Sequence, residues 1–343
     1  MCFLRRLQTY TPAFRFAFRQ DCWYNKYIPS GRLCGQERSP LWKHLTRAQP
    51  CFICPVCLNF MTCMRRFCRF IVRIGSIFTT GAIGSIYGAP SDCLWAGGRV
   101  EYSDRTPREV LALTREYGIS ARLTLSNSLL RPEHLTDPDC NALCRLFQEQ
   151  NDPQNGAIVH AELLTQYLKK NYPSLYLVSS TTKVLTDFND LQRELARPEF
   201  RYVVPDFRLN RAFDRLAALP QSQKDKVEFL CNECCWFGCT ERRACYEAVS
   251  RKNLGLPGPE HYCSAPGAAD GYRFSRAMAN PGFIGIKAIR DTYLPRGFTQ
   301  FKIEGRGLGS ALILEFLLHY LTKPEYQLAV REELYLDTML DLF

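Results

Sequence analysis

Cys231, Cys234, Cys235, Cys239 and Cys245 fall within fifteen residues, "CNECCWFGCTERRAC", and Cys263 follows across a loop rich in Gly and Pro. Thiols in such a cluster serve disulfides, zinc, an iron–sulfur cluster or a reactive centre. Arg5, Arg6, Arg15 and Arg19 interrupt every early apolar run, so no secretory segment is read at the start and the cytoplasm is the expected compartment. There, clustered cysteines are metal ligands or catalytic groups rather than disulfides. A structural zinc site shows two C-x2-C knuckles, and the second is missing here. A 4Fe–4S cluster needs four thiolates and tolerates irregular spacing, which Cys235-x3-Cys239-x5-Cys245-x17-Cys263 supplies. Cys231 or Cys234 is the substitute ligand, and zinc is the alternative metal. The spacing differs from the C-x3-C-x2-C of radical S-adenosylmethionine enzymes. Cys140 and Cys144, on a helical pattern, read instead as buried apolar residues.

A second group with chemical potential is "FKIEGR". Strand alternation puts Phe301 and Ile303 on one side and Lys302, Glu304 and Arg306 on the other. Three charges on an inner face must meet each other, a bound anion or water. Glu233 and Glu304 are candidate acid/base groups, Lys302 and Arg306 anion anchors, and Asp206 an orienting carboxylate. The alternative for the strand is a structural ion network. Ser126, Asn127, Ser180 and Asn232 also follow apolar strand patterns and are candidate substrate contacts, the alternative being that such residues cap the next turn or helix.

These groups need elements to hold them. From about residue 80, short apolar strands alternate with helices: "IGSIYGA", then a helix with Thr106 as N-cap, Pro107 in its first turn and Gly118 as its stop; "ISARLTLSNS", then a helix capped by Thr136 or Asp137. "GAIVHAELL", "SLYLVSSTT", "RYVVPDF", "VEFLCNE", "GFIGIKA" and "FTQFKIEG" continue the series, and "GSALILEFLLHYL" closes it. About eight such units imply an α/β fold of the (β/α)8 TIM-barrel type, with a doubly wound sheet as the runner-up, and a barrel carries its site at the carboxyl ends of its strands.

Residues 1–75 differ in composition. They hold 13 of the chain's 44 Lys and Arg, eight of its 17 cysteines, and of its 34 acidic residues only Asp21 and Glu37. This shift predicts a poorly ordered basic extension over 1–75 and a barrel domain over 76–343. Cys51, Cys54, Cys57 and Cys63 approach a ferredoxin run, but the last gap is five residues and no Pro follows. The remainder of the chain is close to neutral, which argues against general nucleic-acid binding by the barrel. The longest apolar runs, 74–89 and 308–321, fall short of the roughly twenty residues that span a bilayer, so no membrane association is expected.

"VEFLCNECCWFGCTERRACYE" and "FTQFKIEGRG" resemble segments of the collagenase-like peptidases (unknown-type peptidase family thirty-two), and "SIYGAPSDCLWAGGR", "LSNSLL", "SSTTK" and "VVPDFRLN" are similar to further blocks of a barrel-only branch. The resemblance covers about residues 80–325. It implies a barrel holding a 4Fe–4S cluster, with Cys235 and Cys239 matching the motif cysteines best. It also implies oxygen-independent hydroxylation of ubiquinone precursors or RNA bases, or a peptidase label. The segment "G...C.S...G...R.G.C" of the peptidases is absent, and there is no G-x-S-x-G or H-E-x-x-H and no local histidine motif. The expectation is thus an iron–sulfur modifying enzyme acting on a small molecule, RNA or a peptide. The alternatives are a hydrolase or a noncatalytic cluster-bearing subunit with a protein partner of the same family.

Overall fold

Among the described residues the chain builds eight short strands, several of them buried on both faces and read as continuous apolar runs. They are β1 (Cys51–Pro55), β2 (Ala82–Gly88), β3 (Ser120–Leu125), β4 (Gly156–Val159), β5 (Tyr176–Ser179), β6 (Phe200–Val203), β7 (Glu228–Leu230) and β8 (Gln300–Lys302). The computed structural model describes residues 49–55, 67–68, 81–97, 106–150, 152–305 and 310–340. All seven ladders are parallel, in the order β6-β5-β4-β3-β2-β1-β8-β7. A single bridge, Val203 to Val227, joins the two ends of that order and makes a nearly closed (β/α)8 barrel of TIM type.

The helices start and stop where their caps dictate. In α1 (Pro107–Tyr117), Glu109 Oε2 accepts from the Thr106 N–H at 2.7 Å, and Gly118 takes a left-handed conformation at φ 63°. Asp137 caps α2 (Pro138–Gln148) by accepting from the Cys140 N–H at 2.8 Å. α3 (Glu162–Asn171) and α4 (Phe188–Ala196) follow, then α5 (Phe213–Ala217), α6 (Arg242–Asn253), α7 (Phe274–Ala279), α8 (Ser310–Leu321) and α9 (Gln327–Leu340).

Side chains alternate across the sheet. Phe52, Leu123, Val159, Phe229 and Phe301 join the outer core beneath the helices, while Ile53, Tyr87, Ile158, Val178 and Leu230 form a separate apolar cluster inside the barrel. The interior also holds charge. Arg122 on β3 pairs with Glu228 on β7 and donates from Nε to the Tyr176 hydroxyl at 2.9 Å. Lys302 Nζ lies 3.7 Å from Glu228 Oε1 and 4.2 Å from the centre of the Tyr87 ring.

Two expectations are corrected. The boundary at residue 75 fails, because β1 lies inside the presumed extension and is hydrogen-bonded between β2 and β8. Cys51 and Cys54 of the ferredoxin-like run are accordingly residues of a barrel strand, and burial pushes the Cys51 thiol up to about 11. Cys57 and Cys63 lie outside the described residues. "GFIGIKA" forms no strand; Ile284 instead donates its N–H to Cys231 O at 2.9 Å, packing the segment against the end of β7. Among the described residues no helix is long and apolar enough to cross a membrane.

Candidate functional site

The 69-residue connection from β7 to β8 folds over the carboxyl-terminal mouth of the barrel, where a barrel carries its chemistry. Its centrepiece is α6. Arg242, Tyr246 and Ser250 are buried at intervals of four, which puts them on one helix face. Near its start Arg242 meets Glu233, and Arg243 donates to Lys183 O at 3.5 Å. Near its end Ser250 Oγ accepts from the Ser128 N–H at 3.1 Å, and Asn253 Nδ2 donates to Leu94 O at 2.7 Å. These partners follow β7, β5, β3 and β2 in turn. Twelve residues span about 18 Å, so the helix lies across the mouth and turns a polar face into it.

Beneath the start of α6 the thiols gather. Cys235, Cys239, Cys245 and Cys263 line one cavity of about 80 Å³ together with Glu233 and Arg242. The connection holds the backbone of this cavity by side-chain bonds. Glu233 Oε1 accepts from the Cys235 N–H at 2.9 Å, Asn280 Nδ2 donates to Cys235 O at 2.8 Å, and Arg208 Nη1 donates to Cys239 O at 2.5 Å. Burial pushes the Cys235 thiol up to about 12, against the lowering pull of Arg242.

Arg242 is 3% exposed and anchors two carboxylates. Its Nη2 lies 2.5 Å from Glu233 Oε2, and its Nε 3.6 Å from Asp206 Oδ2. Asp206 is itself fully buried and accepts from Arg208 Nε at 2.6 Å. On the other side of Glu233, ligand atoms of Glu233, Cys234 and Glu304 lie within 4.8 Å of one another. Tyr272 stands over this group and donates to Asn232 O at 3.1 Å. Burial, and then the Glu304, Cys234 and Glu233 charges, raise the Tyr272 phenol well above its ordinary value.

The expected site residues therefore separate. Glu233, Asp206 and the four cysteines are linked around the α6 start, and Glu304 joins them through Glu233. Lys302 does not come to the mouth. It is 5% exposed and sits within the barrel beside Glu228. Arg306 lies outside the described residues. The four expected substrate contacts are engaged within the chain: Ser126 Oγ donates to Ala96 O, Asn127 Nδ2 to Ser250 O, and Ser180 Oγ accepts from the Thr182 N–H. Asn232 binds both backbone groups of Glu304. Their bonds hold the mouth together, because short polar side chains at strand ends satisfy turn N–H and C=O groups.

Arg242, Tyr246, Tyr272 and His160 belong to the mouth and were not singled out from sequence. The available signal was the four-residue spacing of Arg242, Tyr246 and Ser250 just after the cysteines. Comparison of the chain with protein-family models, with curated proteins and with solved structures gives no match.

Proposed function

We propose that the chain is an iron–sulfur barrel enzyme related to the collagenase-like peptidases and their hydroxylase relatives, with a 4Fe–4S cluster held by Cys235, Cys239, Cys245 and Cys263. The observation that supports it is the cavity that all four thiols line at the barrel mouth. The four thiols fit the group: a sulfur donor set suits an iron–sulfur cluster or zinc and does not suit magnesium or calcium, and His261, Glu233 and Glu241 line the same cavity. The buried Arg242 guanidinium beside the thiols offsets part of the negative charge that four thiolates bring. When bound, such a cluster supplies one-electron chemistry.

The chain's own residues define the rest. Asp206 and Glu233 fix Arg242 against the cavity, so the charge next to the thiols cannot drift. Glu304 faces Cys234 and Glu233 and is the carboxylate placed to exchange a proton with a substrate at the mouth. The reading is oxygen-independent hydroxylation of a small molecule or an RNA base.

The test is anaerobic reconstitution with iron and sulfide. It should yield a brown chromophore and about four irons per chain; with a candidate substrate, water as the oxygen source and a two-electron acceptor supplied (R–H + H2O → R–OH + 2 H+ + 2 e−), mass spectrometry should detect the hydroxylated product. Stoichiometric zinc with no iron after anaerobic purification would replace the cluster by a structural zinc site.

One observation favours a cluster-bearing subunit of a complex as a second reading. Among the described residues, five of the seven exposed large apolar side chains, Trp236, Phe237, Leu256, Tyr262 and Met278, come from the connection that carries the cysteines. A reconstituted chain that binds iron, yields no product alone and gains activity with a second protein would support it.

A further inference from the structure

Two thiols outside the cysteine cavity meet beside α2. Cys93 lies in the turn after β2 and Cys140 in the first turn of α2, and their sulfurs are 3.6 Å apart although 47 positions separate them in the chain. Both residues are buried, at 6% and 2% exposed.

The surroundings hold this pair together from both sides. Trp95, two residues after Cys93, is fully buried and donates from Nε1 to His134 O at 2.8 Å, in the turn Pro132–Thr136 that leads into α2. Asp137 then accepts from the Cys140 N–H at 2.8 Å and sets the first turn of that helix. On the other side, the Asn127 N–H donates to Trp95 O at 3.0 Å. With both backbones fixed, most of the entropy that joining two distant groups would cost is already spent. A disulfide needs about 2.05 Å between sulfurs, so these must close by about 1.5 Å, which rotation about a Cα–Cβ bond supplies.

We propose that Cys93 and Cys140 are a modification site, an oxidisable dithiol that a small hydroperoxide such as hydrogen peroxide converts to a disulfide. One thiol attacks the O–O bond and becomes a sulfenic acid, S–OH, as one water leaves. The other thiol then displaces that oxygen as a second water and forms the S–S bond. The two thiols give up two electrons and two protons, and the peroxide takes both to become two molecules of water. The product fastens the turn at Cys93 to α2. Asn253 of α6 donates to Leu94 O in that same turn, so the new bond reaches the seat of the helix across the mouth. The site uses none of the four cavity cysteines, and it stands or falls separately from the iron–sulfur reading.

The experiment treats the full chain with a few equivalents of hydrogen peroxide at neutral pH, quenches it in acid and alkylates it in denaturant before digestion. Mass spectrometry should find a peptide pair joining Cys93 to Cys140, about 2 Da lighter than the two free peptides together and released by dithiothreitol. C144S, which removes the buried thiol one turn farther along α2, should give the same yield. In urea, where the fold no longer closes the 47-position separation, the yield should fall at least about tenfold. Recovery of Cys93 and Cys140 as free thiols while the cavity cysteines are oxidised, or their linkage only to other cysteines, overturns the site. Loss of the link in C144S, or an equal yield in urea, overturns the claim that the fold presents these two sulfurs to each other.

Discussion

Asn232 and Glu304 hold each other by a reciprocal pair of bonds: Asn232 Oδ1 accepts from the Glu304 N–H at 2.7 Å, and Asn232 Nδ2 donates to Glu304 O at 3.0 Å. The amide thereby fastens the end of β7 to the end of β8 and fixes where Glu304 enters the mouth. N232A leaves a backbone donor and acceptor without partners and should cost about 2 kcal/mol in urea unfolding. N232D keeps the acceptor but buries a carboxylate oxygen against Glu304 O at a fully buried position, so its cost should be at least as large as that of N232A. Equal stability of N232A and wild type would remove this role.

Inside the barrel, Arg122 and Glu228 are 3% and 0% exposed. Removing Arg122 leaves Glu228 with only the longer contact to Lys302, so R122M should destabilise by about 3 kcal/mol. Adding E228Q to R122M should recover part of that loss, as a double-mutant cycle would measure. Additive losses would show that the pair is not coupled.

Because β1 is bonded on both edges, truncation has a sharp limit. Deleting residues 1–39 should preserve the circular dichroism of the barrel, whereas deleting residues 1–70 removes β1 and should abolish folding. A soluble, cooperatively unfolding protein lacking residues 1–70 would contradict the placement of β1.

For the thiols, C235S and C239S should lose the chromophore and most of the iron of the reconstituted chain. C140S should keep both, since Cys140 is buried beside Cys93 at 3.6 Å between sulfurs, away from the cavity. Iron content and absorbance decide it, and iron retained in both C235S and C239S would move the site elsewhere.

His160 makes stability depend on pH. Its folded pKa, lowered to about 4 from 6.5, means that the unfolded chain binds the extra proton between these values. The stabilisation is complete above about pH 6.5 and is lost as pH falls toward 4. H160Q should remove this contribution, on the order of 2–3 kcal/mol across the window, and flatten the slope of denaturant stability there. An unaltered slope in H160Q would contradict it.

The parts of the fold that read from sequence are those with local chemistry. Thr106, Pro107 and Gly118 mark the ends of α1, and the alternation of Phe301, Lys302 and Ile303 correctly turns the lysine inward. β1 escaped because "CFICP" is a five-residue run without alternation, set among arginines and cysteines that dominate the local composition. α6 escaped for the opposite reason: its buried face is Arg242, Tyr246 and Ser250, so no apolar stripe announces it. At the mouth the grouping of the cysteines follows from their spacing. The use of Asn127 or Ser180 does not, because the same side chains serve a ligand or a neighbouring turn, and only the position of α6 and Thr182 selects between these.

Seven junctions between neighbouring strands are ladders, and the eighth, between β6 and β7, is the single Val203–Val227 bridge. Asp206 lies just beyond one side of this seam and Glu233 just beyond the other, and Arg242 reaches both. The guanidinium is thus a hoop across the stave joint that the backbone leaves loosest. Any parting of the barrel wall there draws the two carboxylates away from Arg242 and changes the charge beside the thiols in the same movement. Breathing of the wall and the electrostatics of the cysteine cavity are therefore one coordinate.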